Sequence, residues 1–279
     1  MGEAMQLLCS TGTFSRDPDF TDYRAVLANG PQLEVDGFEV MFYAGWYAEV
    51  EHIAAELRSS GLRFPAVHVE KSIGTLLGSS QPEKCEQGIE RFAENCHLGR
   101  LIGAGVLVLH LWGLPELDEE LERNLQGLEA CLTLAEQSGL QLAVETIPGS
   151  KADPLSNVRK AVDHDKRCAV ALDTEYLGLY HQLEAALNSD WLWQDNRVRH
   201  IHIKDFDGRP FTDDQRRRYL HPGDGYIDFA HFFDALKQRG FAGNISLEAS
   251  AIQRDGRVDL ERLKKSLAML RGYIIKRRP

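Results

Sequence analysis

The chain has 279 residues, 43% of them hydrophobic, and a net charge of −10 from 32 basic and 42 acidic residues. That length suits one large domain over residues 1–279, and the composition can fill a core. The acidic balance counts against a general nucleic-acid binder.

Short β-type runs alternate with longer helical patterns from end to end. The strands predicted are 7–11, 37–43, 66–70, 105–111, 141–146, 169–173, 198–204 and 244–248. Several are continuous β-branched or Leu-rich runs, as parallel strands buried on both faces require. Between them the spacing predicts helices over 50–60, closed by Gly61, and 117–138, closed by Gly139. A third runs from an Asp228 N-cap to Arg239 and is closed by Gly240. Eight strand–helix repeats point to an α/β fold, a (β/α)8 TIM barrel. A doubly wound open sheet would usually show fewer strands. The longest irregular insertion, 206–226, would lie on the catalytic face of a barrel.

The five cysteines, Cys9, Cys85, Cys96, Cys131 and Cys168, form no CxxC pair. Scattered thiols of this kind suit a reduced, cytoplasmic protein. No positive-then-apolar leader opens the chain, and the longest apolar stretch, 106–112, is too short to span a bilayer. Neither a membrane nor a nucleic acid is therefore expected as a partner. The run Arg216-Arg217-Arg218 reads as a solvated helix face rather than a phosphate clamp.

Four strand candidates end in a metal-competent side chain: Glu145, Asp173, His202 and Glu248. In a barrel the C-terminal strand ends open on one face, so these four converge. A charged group closing a buried strand is costly unless paired, and four together make a mixed N/O site for one divalent metal. Carboxylate–imidazole ligation favours Mn, Co or Zn over Mg or Ca. Alternation places His200, His202 and Lys204 on one side of strand seven. His202 is then nearer the open end, and His200 one layer deeper, placed to orient a carboxylate. His68 and His110 follow the same rule on strands three and four. They suit substrate hydroxyls, a second metal or the core, and Trp112 suits an apolar wall under a sugar ring or core packing. The segment from His221 to Phe229 reads as a tight Gly-rich turn leading into a helix, either purely structural or with amides that could hold an anion, although Asp224 argues against phosphate.

At these residues the chain resembles the xylose isomerase-like barrel superfamily, which groups sugar phosphate isomerases and epimerases, inosose dehydratases and endonuclease IV-type nucleases. The pieces that carry the likeness are Val144-Glu145, Leu172-Asp173, His200-Ile201-His202-Ile203-Lys204-Asp205, Pro222 to Phe229 and Leu247-Glu248. The resemblance implies one divalent cation on Glu145, Asp173, His202 and Glu248. It also implies a small-molecule carbohydrate substrate and a possible homo-oligomer. In isomerising members the two glutamates, here Glu145 and Glu248, act as acid and base. They move a proton next to a carbonyl through a metal-stabilised enediolate. Lys204 could add positive charge near the developing oxyanion, or pair with Asp205 or a neighbouring carboxylate.

Two positions depart from the family pattern. Tyr176 stands where many members carry a substrate-binding His, so that contact is altered, or supplied by Glu175 or His181. Arg218 and Leu220 stand where the nuclease branch needs further ligands. The expected activity is thus a metal-dependent sugar, sugar phosphate or polyol isomerase or epimerase. An inosose-type dehydratase is the alternative, an endonuclease IV-like phosphodiesterase a weaker one, and a barrel that binds sugar without turnover a further one.

Overall fold

The computed structural model describes residues 4–15, 22–113, 117–213, 216–253 and 255–275. Eight parallel strands, paired in sequence order, close into one barrel in which β1 meets β8. They are β1 (Gln6–Ser10), β2 (Gly37–Met41), β3 (Ala66–His68), β4 (Val106–Leu109), β5 (Gln141–Glu145), β6 (Ala169–Asp173), β7 (Val198–Ile203) and β8 (Asn244–Leu247). All eight predicted strands are present, each within a few residues of its expected bounds. The fold is a single-domain (β/α)8 TIM barrel.

Helices cover the outside. Among them are α1 (Arg24–Asn29), α2 (Val50–Ser59), α3 (Ser72–Leu77), α4 (Pro82–Ile102), α5 (Leu121–Gln137) and α6 (Pro154–His164). Then come α7 (Thr174–Leu179), α8 (Leu183–Asn188), α9 (Asp190–Trp193), α10 (Phe229–Gln238) and α11 (Leu260–Ile275). Asp228 caps α10 by accepting from the His231 amide at 2.9 Å, as its sequence predicts. The helix expected from 117 starts later. Leu117 takes φ 53°, and Asp118 gives its carboxylate to the amides of Ser150, Lys151 and Ala152. That carboxylate ties the loop after β4 to the loop after β5.

The barrel has two apolar layers. The larger packs the outward strand face against the helices, with Val67, Leu107, Leu142, Val170, Ile201 and Ile245 among its members. The inner one is small: Leu8, Ala66, Val106, Val108, Ala143, Ala169 and Ala171. Four alanines inside the barrel leave its upper half free for imidazoles and carboxylates. Strand alternation then sends His200 and His202 inward while Ile201 and Ile203 face the helices. Register puts Asp173, His202 and Ser246 at one level, because His202 pairs with both across β6 and β8.

All five cysteines are unpaired. No described helix is long and apolar enough to cross a membrane. The arginine run is not helical. Arg217 bonds Glu175 at 2.7 Å and Arg218 bonds Asp207 at 2.6 Å, so two of the three arginines form half-buried ion pairs while Arg216 is exposed.

Candidate functional site

Glu145, Asp173, His202 and Glu248 come together at the C-terminal ends of β5 to β8. Each offers a ligand atom, and those atoms lie within 4.8 Å of one another. All four residues are buried, between 0% and 6% exposed. Asp173 is held from two sides. Its amide donates to Thr146 Oγ1 at 2.9 Å. Its Oδ1 caps α7, accepting from the amides of Glu175 and Tyr176 at 2.9 and 3.1 Å. The other oxygen, Oδ2, accepts no hydrogen bond although buried. Thr174 Oγ1 donates to the Lys204 carbonyl at 2.6 Å and so locks the ends of β6 and β7 together.

Lys204 Nζ lies 2.6 Å from Asp173 Oδ2 and contacts Glu248 Oε2. Its pairing is with these neighbouring carboxylates and not with Asp205. Burial disfavours the ammonium, but Asp173 and Glu248 outweigh it and hold its pKa well above the ordinary lysine value. Burial, with Glu145, Glu175 and Glu248 nearby, pushes Asp173 up to about 7 against the pull of Lys204. Burial alone would raise Glu145 and Glu248 too. The cations beside them, His202 for Glu145 and Lys204 for Glu248, hold both below the usual carboxylate range. His202 is raised well above the ordinary value, because Glu39 and Glu145 overcome its burial.

His68 and His110 reach the same cluster. Their Nε2 atoms lie 3.4 and 2.7 Å from Glu145 Oε2. Neither contact is aligned as a hydrogen bond, and Glu145 Oε2 is left without one. Burial pushes His110 down to about 4, so its ring is neutral at pH 7. Tyr176 stacks between two cations, Lys204 at 5.1 Å and Arg217 at 4.7 Å from its ring centre. Glu175 is buried beside it, and His181 is exposed. Trp112 does not stand free. It is 1% exposed in the hydrophobic core, with Nε1 donating to the Pro148 carbonyl at 2.9 Å. A cavity of about 210 Å³ opens at the mouth, lined by Met41, Tyr43, Glu70, Lys71, Tyr219 and Glu248 among others.

The Gly-rich turn takes the structural of its two readings. Asp205 Oδ2 accepts from the Gly223 and Gly225 amides, both at 2.9 Å. Its Oδ1 accepts from Phe206 and Ile227 at 2.8 and 3.1 Å. The amides that might have held an anion are taken by this internal carboxylate. A Cβ on Gly225 would come within 2.4 Å of Asp205 Oδ1, and Gly223 needs φ 92°, so both positions require glycine.

Sequence reasoning missed Glu39. It sits in the middle of β2, fully buried, with its carboxylate 2.9 Å from His202 Nε2 and 2.8 Å from Ser246 Oγ. His200, the deeper histidine, lies 3.4 Å from the same carboxylate. The signal was available: in Gly37-Phe38-Glu39-Val40-Met41, alternation puts Glu39 inside when Phe38 and Val40 face the helices.

The geometry is that of a parallel barrel with an ionisable cluster over its C-terminal face. The chain belongs to the xylose isomerase-like TIM barrel family, whose model matches residues 27–273. It is 26% identical over 252 residues to an inosose dehydratase from Bacillus velezensis, covering 78% of each protein. A second inosose dehydratase, from Klebsiella pneumoniae, is 28% identical over 146 residues, covering 47% of this chain and 48% of that protein. Among solved structures, D-allulose 3-epimerase from Methylomonas sp. superposes with a TM-score of 0.73 at 16% identity, over 98% of this chain and 100% of that one. The apo 3-keto-D-glucoside 4-epimerase from E. coli gives a TM-score of 0.70 at 16% identity, over 96% and 99%.

Proposed function

We propose that the chain is a divalent-metal-dependent isomerase or epimerase of a sugar, sugar phosphate or polyol, and that it moves a proton on a carbon next to a carbonyl. One observation carries this reading: three carboxylates and an imidazole converge within 4.8 Å in a buried site. Two of those carboxylate oxygens, Glu145 Oε2 and Asp173 Oδ2, are buried without hydrogen bonds. Each faces a nitrogen, His110 Nε2 at 2.7 Å and Lys204 Nζ at 2.6 Å, but so many buried carboxylates crowded together fit a shared cation better than they fit one another. Glu145, Asp173, His202 and Glu248 would hold one ion, of Mn, Co or Zn type by the mixed donor set. Such an ion, when bound, supplies a Lewis acid for a carbonyl oxygen.

The chain's own groups do the rest. Glu145 and Glu248 serve as base and acid on the two sides of the reacting carbon. One takes the proton, and the other returns a proton to the same or the adjacent carbon. Lys204 stays charged and balances negative charge as it gathers on the substrate oxygen. Neutral His110 offers a donor and an acceptor to substrate hydroxyls, while His68, whose Nδ1 faces the Val69 carbonyl at 2.9 Å, offers Nε2 alone. Tyr176, held between Lys204 and Arg217, closes the substrate side of the site. The buried Trp112 supports the wall from behind. We place the reaction in the cytoplasm, with no nucleic-acid or membrane partner, and a homo-oligomer is compatible with it.

The named sequence relatives favour a second reading, dehydration of a keto-polyol. It begins with the same proton removal and ends with loss of a neighbouring hydroxyl. The nuclease reading has least support, because Tyr176, Arg218 and Leu220 stand where that branch needs ligands. The test is a panel of ketoses and inososes incubated with metal-loaded protein and followed by product mass. Unchanged mass with altered chromatographic mobility supports isomerisation or epimerisation. Loss of one water supports dehydration. Cleavage of an abasic-site oligonucleotide without turnover of any sugar would overturn both.

A further inference from the structure

Glu39 is a buried charge that the reaction outlined above does not use. It crosses the barrel from β2 to the far wall, where both its oxygens face His202 Nε2, at 2.9 and 3.1 Å. Ser246 Oγ donates to Oε2 at 2.8 Å and fixes the plane of the carboxylate. The opposite nitrogen, His202 Nδ1, faces the cluster, 2.7 Å from Glu145 Oε1 and 3.9 Å from Glu248 Oε2.

A carboxylate can only accept here, so before a cation arrives both ring nitrogens carry hydrogen, Nε2 toward Glu39 and Nδ1 toward Glu145. We propose that Glu39 is a positioning residue: it keeps hydrogen on His202 Nε2, so that Nδ1 is the nitrogen that gives up its hydrogen when a divalent cation binds. The ring nitrogen hydrogen-bonded away from a metal generally decides which tautomer is present. Without Glu39 nothing prevents the neutral ring from placing its hydrogen on Nδ1 and donating to Glu145. Both residues would then be turned from ion binding to each other. The Ser246 hydroxyl makes the arrangement one-directional, because it can give its hydrogen to Glu39 while Glu39 accepts from both. This inference rests on the reading of Glu145, Asp173, His202 and Glu248 as a metal centre.

The experiment uses Zn²⁺ alone and the full chain. Calorimetry gives affinity for wild type, Glu39→Gln and Glu39→Leu, and long-range proton–nitrogen NMR gives the state of His202 in each zinc-loaded protein. Outer partners of ligating histidines typically set affinity by 10–100-fold. Glu39→Leu is expected to lose about that much, and to lose the Nε2–H, Nδ1-ligated signature. Glu39→Gln keeps an acceptor for Nε2–H and should retain the signature with a smaller loss. If Glu39→Leu does not fold, the Glu39→Gln affinity decides alone, a loss supporting the role and wild-type affinity overturning it. Wild-type affinity and an unchanged ring state in the folded variants would overturn the role of Glu39 and leave the metal centre standing. No zinc binding by wild type would overturn the centre and this inference together.

Discussion

Two sets of buried carboxylates sit at the same end of the barrel, and they are satisfied in opposite ways. Asp118 and Asp205 are 3% and 1% exposed, and each is saturated by backbone amides. Glu145 and Asp173 are as deeply buried, yet each keeps an oxygen without a hydrogen bond and faces other ionisable side chains. A carboxylate with all its lone pairs filled by amides holds a loop in place. A carboxylate left open among cations and like charges is available for ions and protons. Burial and residue type do not separate the two sets. The partners do.

The largest contrast should come from Glu145→Gln. It is expected to lower turnover by about 10²–10⁴-fold, the usual contribution of a positioned acid–base group. Stability should be affected far less, so steady-state kinetics beside a thermal melt separates the two effects. Asp205→Ala should behave in reverse. It leaves several amides of the 205–228 segment without their acceptor, at a cost of about 3 kcal/mol. In a chain of this size the melting temperature should fall by roughly 6–12 °C. If Asp205→Ala melted like wild type, the saturated carboxylates would not be structural.

Lys204→Met sharpens the comparison from the cation side. Lys204 is the resident cation for Asp173 and Glu248. Removing it should tighten metal binding by up to about tenfold, since like carboxylates are left uncompensated, and should lower turnover. Weaker metal binding in this variant would count against competition for the same oxygens.

The smallest effect expected is a change of pH dependence at Asp118. Burial would raise its pKa, but hydrogen bonds from Asn157, Lys151, Ser150 and Ala152 outweigh burial and hold it below the usual range. A carboxyl depressed by folding contributes stability that is full above its unfolded value of about 3.9 and is lost as the pH falls through the folded value. Asp118→Asn should therefore be less stable at neutral pH and should lose less on acidification below about pH 4. Denaturant melts at several pH values measure this slope.

Much of this was legible from alternation. The eight strands, and the inward direction of His200, His202 and Lys204, follow from period two and the ends of apolar runs. The convergence of Glu145, Asp173, His202 and Glu248 follows from barrel topology alone. What alternation could not supply was which partner each polar group takes. Glu39 escaped because it is a mid-strand residue, and only closure of the barrel brings β2 opposite β7. The Gly-rich turn kept two readings, anion site or structural turn, because its glycines expose amides. The acceptor that fills them, Asp205, lies 18 and 20 residues away on the end of strand seven. Trp112 carried a double reading from its place beside His110, and the Pro148 carbonyl that anchors it comes from another loop.

The most direct test of the open, ion-ready cluster is metal content per chain, measured on protein purified without a polyhistidine tag, for wild type and Glu145→Gln. We expect about one tightly held divalent ion in the wild type and a clear loss in the variant. No bound ion in the wild type after loading with Mn or Zn, or equal retention in both proteins, would contradict the assignment of these four residues.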